Sequence, residues 1–171
     1  MSIVQGYCKA VTSLNRWLAV LASLLVFIMV AVISYEVVAR YFFDAPTVWA
    51  LELSTLLLGP YFMLAGPYLL HTAGHVNVDI LYGKLSAKAA AIVDTGIYPV
   101  IGLIACVLIC QSIPVAVNSI ESGETSFSSW NPAIWPAKTL IPVAFTLLLL
   151  QSIAETLQAI VRIRTGGGSV S

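Results

Sequence analysis

His71, His75 and Asp79 recur at four-residue intervals, a spacing that stacks side chains on one helical face and suits a metal ion. Glu36 and Arg40 repeat that spacing at the end of an apolar run and can pair along the helix. Glu52 lies early in the next apolar run, where a helix N-terminus favours an anion, so a Glu36–Arg40–Glu52 cluster across a hairpin is open to this sequence. Cys106 and Cys110 form a third such pair, inside a long apolar stretch.

Each set has a plainer use. The histidines share one connector, and a haem would need axial groups from two facing helices, so neither metal nor cofactor is expected. Glu36 and Arg40 sit near a membrane edge, where a neutralising pair snorkels at low cost. Cys106 and Cys110 are expected to be packed as small thiol side chains. Nothing here assembles a nucleophile with a base, and the sequence is not that of an enzyme.

The elements that position these residues are membrane helices. Of 171 residues, 59% are hydrophobic and 9% charged, whereas soluble domains carry about a quarter charged residues. Eight basic and eight acidic residues cancel, leaving no field to attract nucleic acid. The expected fold is an all-α integral membrane protein, one membrane domain over residues 1–171. Its four transmembrane helices span about 16–38, 48–70, 89–117 and 137–160, with a flexible tail over 161–171. Residues 1–15 read as an amphipathic lead-in at the membrane surface, and the first span as a retained signal anchor.

Asp44 or Thr47 is placed to cap the second helix after Pro46. That helix holds Gly59-Pro60 and Gly66-Pro67, expected to kink it and to let another backbone approach closely. Tyr41, Phe42, Phe43 and Trp49 at the first hairpin, with Trp130 and Trp135 after the third helix, mark membrane–water boundaries. Glu121 and Glu124 make the third loop acidic. Lys9, Arg16, Lys84, Lys88, Arg162 and Arg164 lie on one set of connections and only Arg40 and Lys138 on the other. The positive-inside bias therefore puts both termini and the His75–Asp79 connector in the cytoplasm. No polar group is expected at midplane depth to bind a solute.

Three motifs in order carry a resemblance. Glu36-x3-Arg40-Tyr41-Phe42-Phe43-Asp44-x-Pro46-x2-Trp49-x2-Glu52, then Gly74-His75-Val76-Asn77-Val78-Asp79, then Trp135-Pro136-x-Lys138-x-Leu140-Ile141-Pro142 resemble the small membrane subunit of TRAP transporters, the DctQ-like family. The pattern departs at the two Gly-Pro pairs and at Asn77, where a basic residue is common. The resemblance implies a non-catalytic subunit of a sodium-coupled tripartite importer of organic acids in the bacterial cytoplasmic (inner) membrane. Its implied partners are a large multi-spanning permease, which would bind the sodium, a periplasmic substrate-binding protein, and the lipid bilayer. Glu36, Arg40, Asp44, Glu52, Glu121 and Glu124 are then candidates to meet partner proteins, and His75 and Asp79 to fix the cytoplasmic connector. The alternative is a stand-alone small four-helix proton-coupled exporter using Glu36.

Overall fold

The computed structural model describes residues 2–72 and 87–164. They form four α-helices: α1 Ser2–Phe42, α2 Ala50–His71, α3 Ala87–Glu121 and α4 Trp135–Arg164. Each is long and apolar enough to cross a membrane, and the chain is a multi-pass membrane protein. Successive helices run antiparallel. The short connections after α1 and α3 share one end of the bundle, here the hairpin end. The start of α1 and the ends of α2 and α4 share the other, here the terminal end.

α4 is the organising helix: it packs on α3 most extensively and also meets α2 and α1, while α1 packs chiefly on α2. α1 buries Cys8, Asn15, Ala22, Met29 and Glu36, one residue every seven. That period keeps one seam facing its neighbours, as in left-handed helix packing. The seam explains why α1 starts at Ser2 rather than near residue 16. The lead-in does not lie apart at the surface; it continues the same register and packs Cys8, Val11 and Asn15 on the bundle. Asn15 and Glu36, three heptads apart, are separated by about 32 Å of helix at about 1.5 Å per residue. That matches the roughly 30 Å hydrocarbon thickness of a bilayer.

α3 offers α4 a narrow stripe of small residues, Gly102, Ala105, Ser112, Ala116 and Ser119, all buried. A Cβ on Gly102 would stand 2.8 Å from Ser152 Oγ, so this glycine does permit close helix approach. The glycines of α2 do not: a Cβ on Gly59 or Gly66 would meet nothing. α2 runs unbroken through both Gly-Pro pairs, with Pro67 buried. Cys106 and Cys110 fall off the small-residue stripe and are exposed, which corrects the expectation that they are packed. The remaining outward surface is largely apolar, typified by the exposed Phe27, Leu103 and Val107.

Candidate functional site: polar locks at the two ends of the bundle

At the hairpin end, α1 closes on Asp44, which takes a left-handed conformation (φ 51°) and is exposed. The amide of Ala45 returns to the carbonyl of Ala39 at 3.0 Å, satisfying a helix-end acceptor. The turn brings Thr47 back to Glu36. The Thr47 amide donates to Glu36 Oε2 at 3.0 Å and its hydroxyl donates to the same oxygen. Arg40 donates to Glu36 Oε1 through Nε at 2.9 Å and through Nη2. Glu36 is 3% exposed and Arg40 44%, so the carboxylate is buried behind a half-exposed guanidinium. Both its oxygens are occupied. A carboxylate so engaged offers no open face on which a proton and a cationic drug could alternate.

Thr47 is therefore a lock on Glu36 rather than a cap for α2, whose N-cap is Trp49 with no side-chain cap bond. The Trp49 ring stacks on Tyr35 with centroids 6.0 Å apart. Glu52 does not join the Glu36–Arg40 pair in the contacts described; it accepts the hydroxyl of Ser128 at 2.6 Å, from the third connection.

That connection, residues 122–134, is a folded knob. α3 ends in a Schellman arrangement, the Glu124 amide bonding Ser119 O and the Gly123 amide bonding Ile120 O, with Gly123 at φ 57°. A bridge pairs Thr125 with Ala133, and the amides of Ser126 and Ile134 donate to Pro132 O and Glu124 O. Asn131 Oδ1 accepts the Phe127 amide at 3.0 Å. Lys138 Nζ reaches both oxygens of Glu124 at 2.6 Å and ties the knob to the first turn of α4. The Lys138 ammonium holds the Glu124 carboxyl below the usual carboxylate range. Phe127, at the knob's tip, has φ 55° and is 88% exposed. Glu121 is exposed at the end of α3.

The terminal end carries a second lock. His71 Nδ1, on the last residue of α2, lies 2.6 Å from Glu155 Oε1 of α4. Gln151, one turn back, donates to Glu155 Oε1 at 2.7 Å and to Thr12 Oγ1 at 3.2 Å. It accepts from Asn15 Nδ2 at 2.7 Å. Cys8 Sγ and the Tyr7 hydroxyl donate to the α4 carbonyls Ala154 O and Leu150 O. The chain thus joins α1, α2 and α4 through side chains that are almost wholly buried: Asn15 0%, Gln151 0% and Glu155 4% exposed.

Of the sequence candidates, the structure gathers Glu36 with Arg40, sets Glu52 on the knob, and binds Glu124 to Lys138. Asp44 and Glu121 stand exposed at the same end. His75 and Asp79 lie outside the described residues. The Asn15–Gln151–Glu155 chain, at the terminal end of the bundle, was not among the sequence candidates. Its signal was present as Gln151-x3-Glu155 within an apolar helix, and as Asn15 one heptad after Cys8. Phe127 had no signal beyond being an aromatic flanked by serines.

A family model for the DctQ component of tripartite ATP-independent periplasmic transporters matches residues 29–162. The chain belongs to this family. It is a transporter-component family rather than an enzyme family, and its members work within tripartite transporters. No curated protein and no solved structure matches the chain. The match to the DctQ component takes in the hairpin end, the knob, His71 and Glu155. Tyr7, Cys8, Thr12 and Asn15, the α1 side of the terminal lock, precede it.

Proposed function

We propose that this chain is the small, non-catalytic membrane subunit of a sodium-coupled tripartite importer of organic acids. It scaffolds the large transport subunit and helps to dock the periplasmic substrate-binding protein. The observation that carries this reading is the pair of side-chain locks, one at each end of a DctQ-family bundle. Buried hydrogen-bonded networks of this kind favour one fixed arrangement of helices over a rocking one. Transport by rocking needs helix faces that part and re-form, whereas His71, Gln151 and Glu155 tie α1, α2 and α4 together and Glu36 fastens the end of α1 to the turn that leads into α2.

The hairpin end suits docking. Asp44 and Glu121 are exposed at this end, and Glu52 and Lys138 hold a knob that backbone bonds brace and that carries an exposed aromatic at its tip. An exposed aromatic on a rigid support loses little freedom on binding, which is the character of an interface anchor. The Lys and Arg bias supports an inner-membrane orientation with both termini cytoplasmic and this end periplasmic. Sodium and substrate then belong to the large subunit.

Reporter fusions test the orientation: one inserted after Glu124 should report the periplasm, and one at the C-terminus the cytoplasm. Opposite results overturn it. For docking, Phe127→Ala and Glu52→Gln should leave the complex with the large subunit intact. Each should raise the concentration of binding protein needed for half-maximal uptake severalfold. Unchanged binding-protein dependence in both variants would remove the docking role.

A further inference from the structure

Beside the lock, the terminal end holds a cavity of about 360 Å³ whose lining shares Cys8, Thr12 and His71 with it, within the roughly 300–1,000 Å³ range of small-molecule sites. One wall is a single stripe of α1: Lys9, Thr12, Ser13 and Arg16, spaced i, i+3, i+4 and i+7 so that all face one way. The facing wall includes His71 of α2 and Gln158 of α4. Among the described contacts, Lys9 and Arg16 have no acidic partner. Two turns of helix place their backbones about 10 Å apart, and both long side chains lie along the cavity between them.

We propose that this cavity binds the phosphate of an anionic phospholipid headgroup. Lys9 and Arg16 supply the charge, Arg16 in the forked geometry that matches phosphate oxygens. The hydroxyls of Thr12 and Ser13 and the amide of Gln158 add neutral donors. Glu155, which His71 and Gln151 engage, is 4% exposed, and among the described residues the imidazole and not this acid lines the cavity. Cys8 also lines it, with its thiol donated to Ala154 O.

A lipid, rather than a dissolved anion, is favoured by what surrounds the cations. Val4 and Val161 line the same cavity. Leu14, Trp17 and Val20, on the adjoining turns of α1, are 48%, 64% and 56% exposed, a surface for acyl chains with an indole at headgroup depth. Basic pockets at the ends of spanning helices are suited to lipid headgroups for these reasons. The site stands whether or not the transport reading above holds.

Native mass spectrometry of the full chain, stripped of lipid and titrated with phosphatidylglycerol or phosphatidylcholine of the same acyl chains, tests this. Phosphatidylglycerol should bind at least tenfold more tightly. Lys9→Gln with Arg16→Gln, both exposed positions, should abolish that preference while helix content by circular dichroism stays unchanged. Ser13→Asp, which sets a like charge in the wall, should do the same by itself. Inorganic phosphate should displace the lipid only in large excess. Equal binding of the two lipids, a preference that survives in both variants, or displacement by equimolar phosphate would each overturn the assignment.

Discussion

His71 Nδ1 and Glu155 Oε1 meet at 2.6 Å although 84 residues separate them. The contact sits where α2 ends and α4 passes, and it draws in Gln151, Thr12 and Asn15, so one buried chain of side chains fastens three of the four helices. A buried polar group left without its partner costs about 1–3 kcal/mol. Glu155→Ala would orphan His71 and one donor of Gln151 together. It should lower stability in detergent by that order, read from the unfolding midpoint, with Glu155→Gln recovering part of the loss. A midpoint unchanged in Glu155→Ala would show that the network contributes nothing to holding the helices.

The α3–α4 contact depends on Gly102. A Cβ there would strike only Ser152 Oγ at 2.8 Å, a short side chain that can turn away if it gives up its bond to Leu149 O. Gly102→Ala should therefore be mild, and milder still alongside Ser152→Ala. Gly102→Val overpacks the seam and should cost about 1–3 kcal/mol. Thermal unfolding of the three variants checks the order, and an equal effect of Ala and Val would contradict it.

Thr47 closes the first hairpin by placing two donors on a buried carboxylate, and hydrogen bonds to charged groups contribute about 1.5–3 kcal/mol. Thr47→Ala removes one of the two and should speed hydrogen exchange of the amides in residues 43–49 while leaving the knob's amides unchanged. Exchange altered equally in both connections, or in neither, would remove Thr47 as a local lock.

The knob should loosen in acid. Lys138 keeps the Glu124 carboxyl below its ordinary value, so the stabilisation is full above the unfolded pKa and is lost as pH falls through the folded one. The pair is about one-third exposed, so the effect is modest and screened by salt. Trp130 fluorescence should be flat from pH 8 to 5 and change below the usual carboxylate range. Lys138→Met should move that change upward in pH. A transition near neutrality, or one unmoved by Lys138→Met, would contradict the pairing.

Much of this was legible in the residues, for physical reasons. Four helices followed from apolar length alone, and Glu36 with Arg40 followed from spacing that places them one turn apart. Locks that depend on tertiary contact did not. Thr47 looks like a helix cap in sequence because Thr after a turn often is one; only the path of the hairpin shows its hydroxyl turned back to Glu36. The extension of α1 was hidden because residues 1–15 are polar enough to suit a membrane surface. What settles their place is the unbroken seven-residue seam from Cys8 to Glu36, with no proline to interrupt it. The Gly-Pro pairs of α2 misled for the opposite reason: glycine permits close approach, but none of the described helices takes up the offer there, whereas α4 does at Gly102.

On the proposed reading, the chain scaffolds transport and does not itself transport. Reconstitution in sodium-loaded and sodium-free liposomes tests it most directly, using the full chain alone, the large permease subunit alone, and both together with the binding protein. The complete set should show sodium-dependent uptake of an organic acid, this chain alone none, and the set lacking this chain a large loss. Uptake by the chain alone, or undiminished uptake by the large subunit without it, would rule out the scaffold role.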